Sequence, residues 1–300
     1  MELRIALQER AALLSTLRRE LTSRGAIEVI TKSLLPEALA HPTTQIFSTR
    51  SQTDSSSSKL YLQASPELEM RRLIARGSGQ IFQICAAYRD EQPDDTHDRE
   101  FQMLEWYTPG TTYIELRQQV GELVRHFCKL PEMDLTCQDI FHRRFGVDLS
   151  RMSVDDLDQT YRSHLCSVSD QEPILSVIKF GRLLDKALSE IAPGYIAYVS
   201  NYPLFDTCFG KASANGYIER FEIFLDGVEI ANGYQEIESG EAFLERFRAE
   251  NLQRINYGLD LLPEPTVVDL PPCAGVAIGV DRLLGYVQRT TRAKSDCSFL

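Results

Sequence analysis

Residues 219–236 read Glu-Arg-Phe-Glu-Ile-Phe-Leu-Asp-Gly-Val-Glu-Ile-Ala-Asn-Gly-Tyr-Gln-Glu. Asp226-Gly227 is a strong two-residue hairpin signal, since this turn needs positive φ and glycine adopts it freely. Such a turn sets Leu225 against Val228 and Phe224 against Glu229. Glu222 shares the parity of Phe224, so it falls on the same face as Glu229, one diagonal step away. Two carboxylates so placed repel unless a cation lies between them or water screens them. An oxygen-only pair of this kind suits Mg²⁺, which keeps waters and accepts phosphate oxygens. A solvated strand face is the plainer alternative. Asn232, Tyr234 and Glu236 have the opposite parity. A β-bulge at Ala231-Asn232-Gly233 would add one residue and bring both sets to one pocket.

A second group lies in Tyr88-Arg89-Asp90-Glu91, then His97-Asp98-Arg99-Glu100-Phe101-Gln102-Met103-Leu104-Glu105-Trp106-Tyr107. Alternation puts Phe101, Met103, Glu105 and Tyr107 on one strand face. An aromatic ring stacks on a purine, and an arginine fork grips a phosphate or carboxylate. Glu105 between Met103 and Tyr107 is not explained by an ordinary half-buried hairpin, because a buried glutamate wants a cationic partner. The third group is Gly275-Val276-Ala277-Ile278-Gly279-Val280-Asp281-Arg282-Leu283-Leu284. Its small residues let a ligand approach the backbone, and Arg282 sits at a strand-to-helix junction. Tight packing accounts for such a run equally well.

These groups need a scaffold. Leucines at 3, 7, 13, 14, 17 and 21 predict an amphipathic helix over 3–24, stopped by Gly25. A short strand follows at 26–30. Residues 42–59, rich in Thr, Ser and Gln, predict a mobile loop. Ser65-Pro66-Glu67 opens a helix, on which Arg71, Arg72 and Arg76 predict a solvated face. Strands are expected at 81–89, 100–107, 195–201, 217–237 and 274–280. Helices are expected at 112–129, 153–164, 174–190, 240–257 and from 281. Hairpins interleaved with helices predict an α+β fold with a mostly antiparallel sheet, in a single domain over residues 1–300.

The 300 residues carry a formal charge of −11, which argues against broad binding to nucleic acid. No apolar run reaches the eighteen residues that span a membrane, and the N-terminus lacks a signal-peptide pattern. Seven scattered cysteines, without Cys-x-x-Cys, predict reduced thiols in a cytoplasmic protein.

Together and in this order, the three groups resemble the signature motifs of class II aminoacyl-tRNA synthetases of the lysyl type. Tyr88–Tyr107 resembles motif 2, Gly275–Leu283 resembles motif 3, and residues 219–236 resemble the metal- and lysine-binding hairpin between them. The resemblance runs from about residue 10 to 290. It is nearest to the elongation factor P–(R)-β-lysine ligases, which lysylate a protein. Ser65-Pro66-Glu67 with Met70, Phe82-Gln83-Ile84-Cys85 and Leu104-Glu105-Trp106-Tyr107 read like that family. The chain starts almost at the catalytic domain, where a lysyl-tRNA synthetase would first have an anticodon-binding domain. Ala277 stands where lysyl synthetases typically have glycine.

The resemblance implies ATP as substrate and Mg²⁺ held by Glu222 and Glu229. It implies Arg89 on the α-phosphate and substrate carboxylate, and Glu91 and His97 on ATP. Phe101 would stack on adenine, with Arg282 on its other face near the γ-phosphate. Glu67 would bind the substrate's backbone-side amine. Glu105, Tyr107, Asn232, Tyr234 and Glu236 would line the pocket for its terminal ammonium, and Ala277 would select the isomer. Arg89 and Arg282 would carry catalysis. The implied reaction is activation of (R)-β-lysine or lysine as its adenylate and transfer to elongation factor P, with tRNA not a partner, in a homodimer. Lys32 departs from the family's first motif, which has proline there. Three alternatives stay open: a lysyl transferase to tRNA, a non-catalytic regulatory paralogue, and a small-molecule ligase on the same fold.

Overall fold

The computed structural model describes residues 2–39, 41–51, 53, 58–92, 98–165, 176–205 and 209–297. Helix α1 (Glu2–Ser23) ends at Gly25, whose φ of 86° is left-handed. The chain continues through β1 (Ile27–Glu28), β2 (Leu34–Leu35), β3 (Ser48–Arg50), β4 (Lys59–Leu62) and α2 (Glu67–Ala75). Then come β5 (Ile81–Tyr88), β6 (Glu100–Pro109), α3 (Tyr113–Val124), β7 (Glu132–Thr136), α4 (Cys137–Phe145), α5 (Val154–Leu165) and α6 (Ser176–Ile191). The last elements are β8 (Ile196–Pro203), β9 (Tyr217–Leu225), β10 (Val228–Gln235), α7 (Gly240–Ile255), β11 (Cys273–Gly279) and α8 (Val280–Cys297).

Eight strands form one sheet in the order β1-β5-β6-β11-β10-β9-β8-β7. Its interior pairs are antiparallel, as alternation predicts, and only the two outermost pairs, β1–β5 and β7–β8, are parallel. A second, three-stranded sheet runs β2-β4-β3. Strand β3 corrects the reading of residues 42–59 as a loop throughout, because Ser48–Arg50 pairs with Lys59–Tyr61.

Strand β7 and helix α4 are not marked by the sequence patterns above. Thr136 caps α4, accepting from Asp139 N while the Asp139 side chain accepts from Thr136 N. This reciprocal cap sets the helix start immediately after β7.

One face of the main sheet is closed. Leu13, Leu17 and Leu21 of α1, Leu116 and Val120 of α3, and Leu283 of α8 pack on Phe82, Leu104, Trp106, Phe221, Ile223, Val276 and Ile278. The other face is covered in two separate pieces. Helices α4, α5 and α6 pack on Ala197, Val199 and Phe224. Helix α2 packs on Ile81 and Tyr107, and with α7 on the small sheet. Between the two pieces the middle strands β6, β11, β10 and β9 turn their alternate side chains into a cavity of about 1240 Å³.

Candidate active site

Strand β10 has the break that pocket-sharing requires, one step earlier than Ala231-Asn232-Gly233. Glu229 faces Phe224, Ala231 faces Ile223 and Asn232 faces Glu222, so Ile230 is the additional residue. Ile230 and Ala231 both enter the closed core. Glu229, Asn232, Tyr234 and Glu236 therefore all line the cavity. The turn before them has φ of 55° at Asp226 and 78° at Gly227, the expected tight hairpin.

The cavity brings together every site residue read from the sequence except His97, which lies outside the described residues. At one end Arg89 follows β5, its guanidinium 5.2 Å from the centroid of the Phe101 ring. Its Nε is buried and makes no hydrogen bond with any described residue. Burial lowers its pKa despite the nearby charges of Glu91 and Glu229. Arg282 Nη1 donates to Glu229 O at 3.0 Å and to Glu229 Oε2 at 3.1 Å. Asp281 braces this corner, accepting from Gln102 N at 2.6 Å and from Arg10 at 2.9 Å.

Next along the cavity is Glu222, with both oxygens held. Arg220 pairs with Oε1, and the Tyr202 hydroxyl donates to Oε2 at 2.6 Å. Arg220 also donates through Nε to Asn232 Oδ1 at 3.1 Å and lies 4.3 Å over the Tyr202 ring. Burial pushes the Glu222 carboxyl up to about 8, and the charge of Glu229 adds to this, against the pull of Arg220. Glu222, Glu229 and the Asn232 amide oxygen are an oxygen-only donor set of the kind Mg²⁺ takes, held here by Arg220, Tyr202 and Arg282.

The far end holds three more carboxylates. Glu67 accepts from the Tyr234 hydroxyl at 2.8 Å. Glu105 accepts from Ser65 at 3.2 Å and from Tyr107 at 3.3 Å. Glu236, fully buried, pairs with Arg71. Burial raises all three: Glu67 against Arg71 and Tyr234, Glu105 well above the ordinary range with the Glu67 charge adding to it, and Glu236 to about 8. Glu67 Oε1 and Glu236 Oε1 are buried and make no hydrogen bond with any described residue. Among the described residues, three carboxylates thus meet one cation at this end, a deficit that a positively charged ligand offsets. Ala277 lies between Glu105 on one side and Asn232 on the other, on the cavity wall.

Sequence reasoning passed over Arg71, Tyr202 and Ser65 as site residues, and named Arg220 only as part of the hairpin. Arg71 corrects the expectation of a solvated helix face, for it is 3% exposed. Its signal was present: it lies four residues after Glu67, on the same helix face. Arg220 likewise has the strand parity of Glu222. Tyr202 had none, because β8 carries a register shift between Ser200 and Tyr202, with Asn201 at φ of 58°. No helix among the described residues is long and apolar enough to cross a membrane. Cys85, Cys128, Cys137 and Cys273 are unbridged thiols.

Comparison with known proteins bears directly on this geometry. The family model of the class II tRNA synthetases (D, K and N) matches residues 1–295. The elongation factor P–(R)-β-lysine ligase of Photobacterium profundum is 30% identical over 295 residues, covering 93% of this chain and 90% of that protein. Proteins of the same name from Pasteurella multocida and Hamiltonella defensa are each 32% identical. They cover 92% and 93% of this chain, and 88% and 89% of their own lengths. The signature hairpins, the carboxylate-lined cavity and these matches agree: the chain belongs to the class II tRNA synthetase family, on the branch of the elongation factor P–(R)-β-lysine ligases.

Proposed function

We propose that this protein activates (R)-β-lysine with ATP and transfers it to a lysine side chain of elongation factor P. The observation that carries the reading is the far end of the cavity. There, among the described residues, Glu67, Glu105 and Glu236 face a single buried cation, Arg71. A diamino acid supplies the missing positive charge. The names of the relatives supply the isomer and the acceptor.

In the first step a carboxylate oxygen of the substrate attacks the α-phosphorus of ATP, and the bond to pyrophosphate breaks. Arg89 contacts the α-phosphate and the substrate carboxylate, aligning nucleophile and phosphorus. Phe101 and Arg282 hold adenine between them, and Glu91 contacts the nucleotide. Glu222 and Glu229 would hold Mg²⁺, which when bound offsets charge on the phosphates. In the second step the acceptor amine attacks the adenylate carbonyl, AMP leaves, and the amide forms with loss of a proton from nitrogen. No side chain acts as nucleophile. Arg89 and Arg282 contribute by electrostatic preorganisation.

Residues 1–300 act as one catalytic unit in a cytoplasmic homodimer. Ile27 and Ile30, in the segment that resembles the family's first motif, are 59% and 94% exposed, apolar side chains that a second copy would cover.

Pyrophosphate exchange with (R)-β-lysine and with α-lysine, followed by the mass of elongation factor P after incubation, tests the reading. Exchange with (R)-β-lysine and a mass gain equal to one lysyl group are expected. No exchange with either isomer would overturn it.

A further inference from the structure

Arg71 is a buried charge beside the cavity that the proposed reaction leaves unassigned. Its guanidinium is fixed by three contacts: it pairs with Glu236 Oε2, Nη2 donates to the Ile237 carbonyl at 2.8 Å, and its face lies 4.1 Å from the Phe243 ring centroid. Phe243 is itself stacked on Phe209. A planar fork held this way fixes direction as well as charge, which an ammonium would not. Arg71 does not line the large cavity but stands behind Glu236, which does.

The two oxygens of Glu236 differ. Arg71 takes Oε2. Oε1 is buried, without a hydrogen bond to any described residue, against Gly275 and Tyr107. A methyl group on Gly275 would come within 2.6 Å of both Oε1 and Tyr107 Cε1, so only glycine leaves this oxygen in place.

We infer that Arg71 is a positioning residue that sets substrate specificity, holding Glu236 by one oxygen so that the other meets the distal ammonium of the substrate. This rests on the function proposed above. With Arg71 taking one oxygen of Glu236, the remaining carboxyl oxygens of Glu67, Glu105 and Glu236 are left to receive the ammonium groups of a diamino acid. Without Arg71, Glu236 would lose the partner that fixes its orientation.

Pyrophosphate exchange by Arg71→Ala, Arg71→Lys and wild type, with (R)-β-lysine, α-lysine and norleucine, tests this. Wild type that activates no diamino acid would refute the proposed function, and that is read before any variant. Given an active wild type, Arg71→Ala should raise KM for the diamino substrate about tenfold or more, as for loss of a polar anchor. Its kcat should stay within about threefold, because the reacting carboxylate lies at the other end. Millimolar guanidinium should restore KM and methylammonium should not, and Arg71→Lys should fall between. An unchanged KM, or a fall in kcat alone that guanidinium does not rescue, would overturn the inference. If Arg71→Ala fails to fold, Arg71→Met/Glu236→Gln removes both charges together, which buried pairs tolerate better. That variant should lose about tenfold of its discrimination against norleucine; retained discrimination would overturn the inference.

Discussion

Tyr202 donates a 2.6 Å hydrogen bond to Glu222 from the buried core beneath the cavity, next to a register shift in β8. Together with Arg220 it leaves the carboxylate one orientation. Tyr202→Phe keeps the ring and removes only the hydroxyl. A hydrogen bond to a charged group contributes about 1.5–3 kcal/mol. The magnesium concentration for half-maximal pyrophosphate exchange should therefore rise about tenfold. The hydroxyl also lowers the Glu222 pKa, so its loss raises that pKa further. A magnesium titration identical to wild type would show that Tyr202 is only packing.

Glu229 is the more exposed of the proposed metal pair, with its side chain 34% exposed. Glu229→Gln should leave stability within about 0.5 kcal/mol, as for a surface change. It should cut adenylate formation by about tenfold or more, about 1.4 kcal/mol in the barrier. Thermal melting and pyrophosphate exchange read the two effects separately. Full exchange in the variant would remove Glu229 from the site.

Much of this site was legible because strands advertise their faces. Parity alone placed Glu222 with Glu229, and Phe101, Met103, Glu105 and Tyr107 together. Parity also demanded a bulge in β10, since Glu236 otherwise falls on the wrong face. It did not locate the bulge at Ile230, because either of two adjacent apolar residues can be the one inserted into the core. Helix faces were less legible. Arg71 reads like Arg72 and Arg76 until the partner, Glu236, 165 residues away, is brought beneath it. Strand β3 was hidden for a related reason: Ser48-Thr49-Arg50 is exposed throughout, so no alternation marks it. The parallel edges were hidden too, for pairing direction is decided by the path of the chain and not by residue type.

The buried carboxylates make the unligated protein sensitive to pH. Glu236 titrates near 8 in the folded state against an ordinary 4.5, and Glu222 shifts the same way. Between those values the folded state binds more protons than the unfolded one. The stability this confers is fully present below about 4.5 and is lost as pH rises through about 8. The Tm of the protein without ligands should therefore fall across that window. Glu236→Gln should flatten the fall, even though it lowers Tm overall by leaving Arg71 unpaired. A Tm that rises across the window would contradict the burial of these groups.

Ile30 is 94% exposed, beside Ile27 at 59%. Isolated apolar side chains need no explanation, but these two lie in the segment that resembles the family's first motif, which forms the family's dimer interface. Sedimentation of wild type should give a dimer. Ile30→Asp should give a monomer, because burying an unpaired carboxylate in the interface costs several kcal/mol. A wild-type monomer at high micromolar concentration would end the proposal, and Lys32 would then be the first residue to examine.

Substrate choice offers the sharpest test of the cavity. Ala277 sits on the central strand β11, with Glu105 beside it on β6 and Asn232 beside it on β10. Its methyl group stands on the same wall as the carboxylates that would receive the two amines. The distal ammonium would be met by Glu105 and Glu236, so norleucine, which lacks it, would leave buried carboxyls without that partner and should be rejected. The proximal amine would be met by Glu67, which Tyr234 holds at 2.8 Å. With both ends so held, the methyl of Ala277 would crowd the α-carbon, and moving the amine to the β-carbon would relieve that crowding. (R)-β-lysine should therefore be activated in preference to α-lysine. Ala277→Gly removes one methyl and should shift the ratio of kcat/KM toward α-lysine by about 1–3 kcal/mol, the size of one methyl in a tight pocket. Pyrophosphate exchange with both isomers measures that ratio directly. Equal activation of the two by wild type, or an unchanged ratio in Ala277→Gly, would mean that the isomer is chosen elsewhere in the cavity.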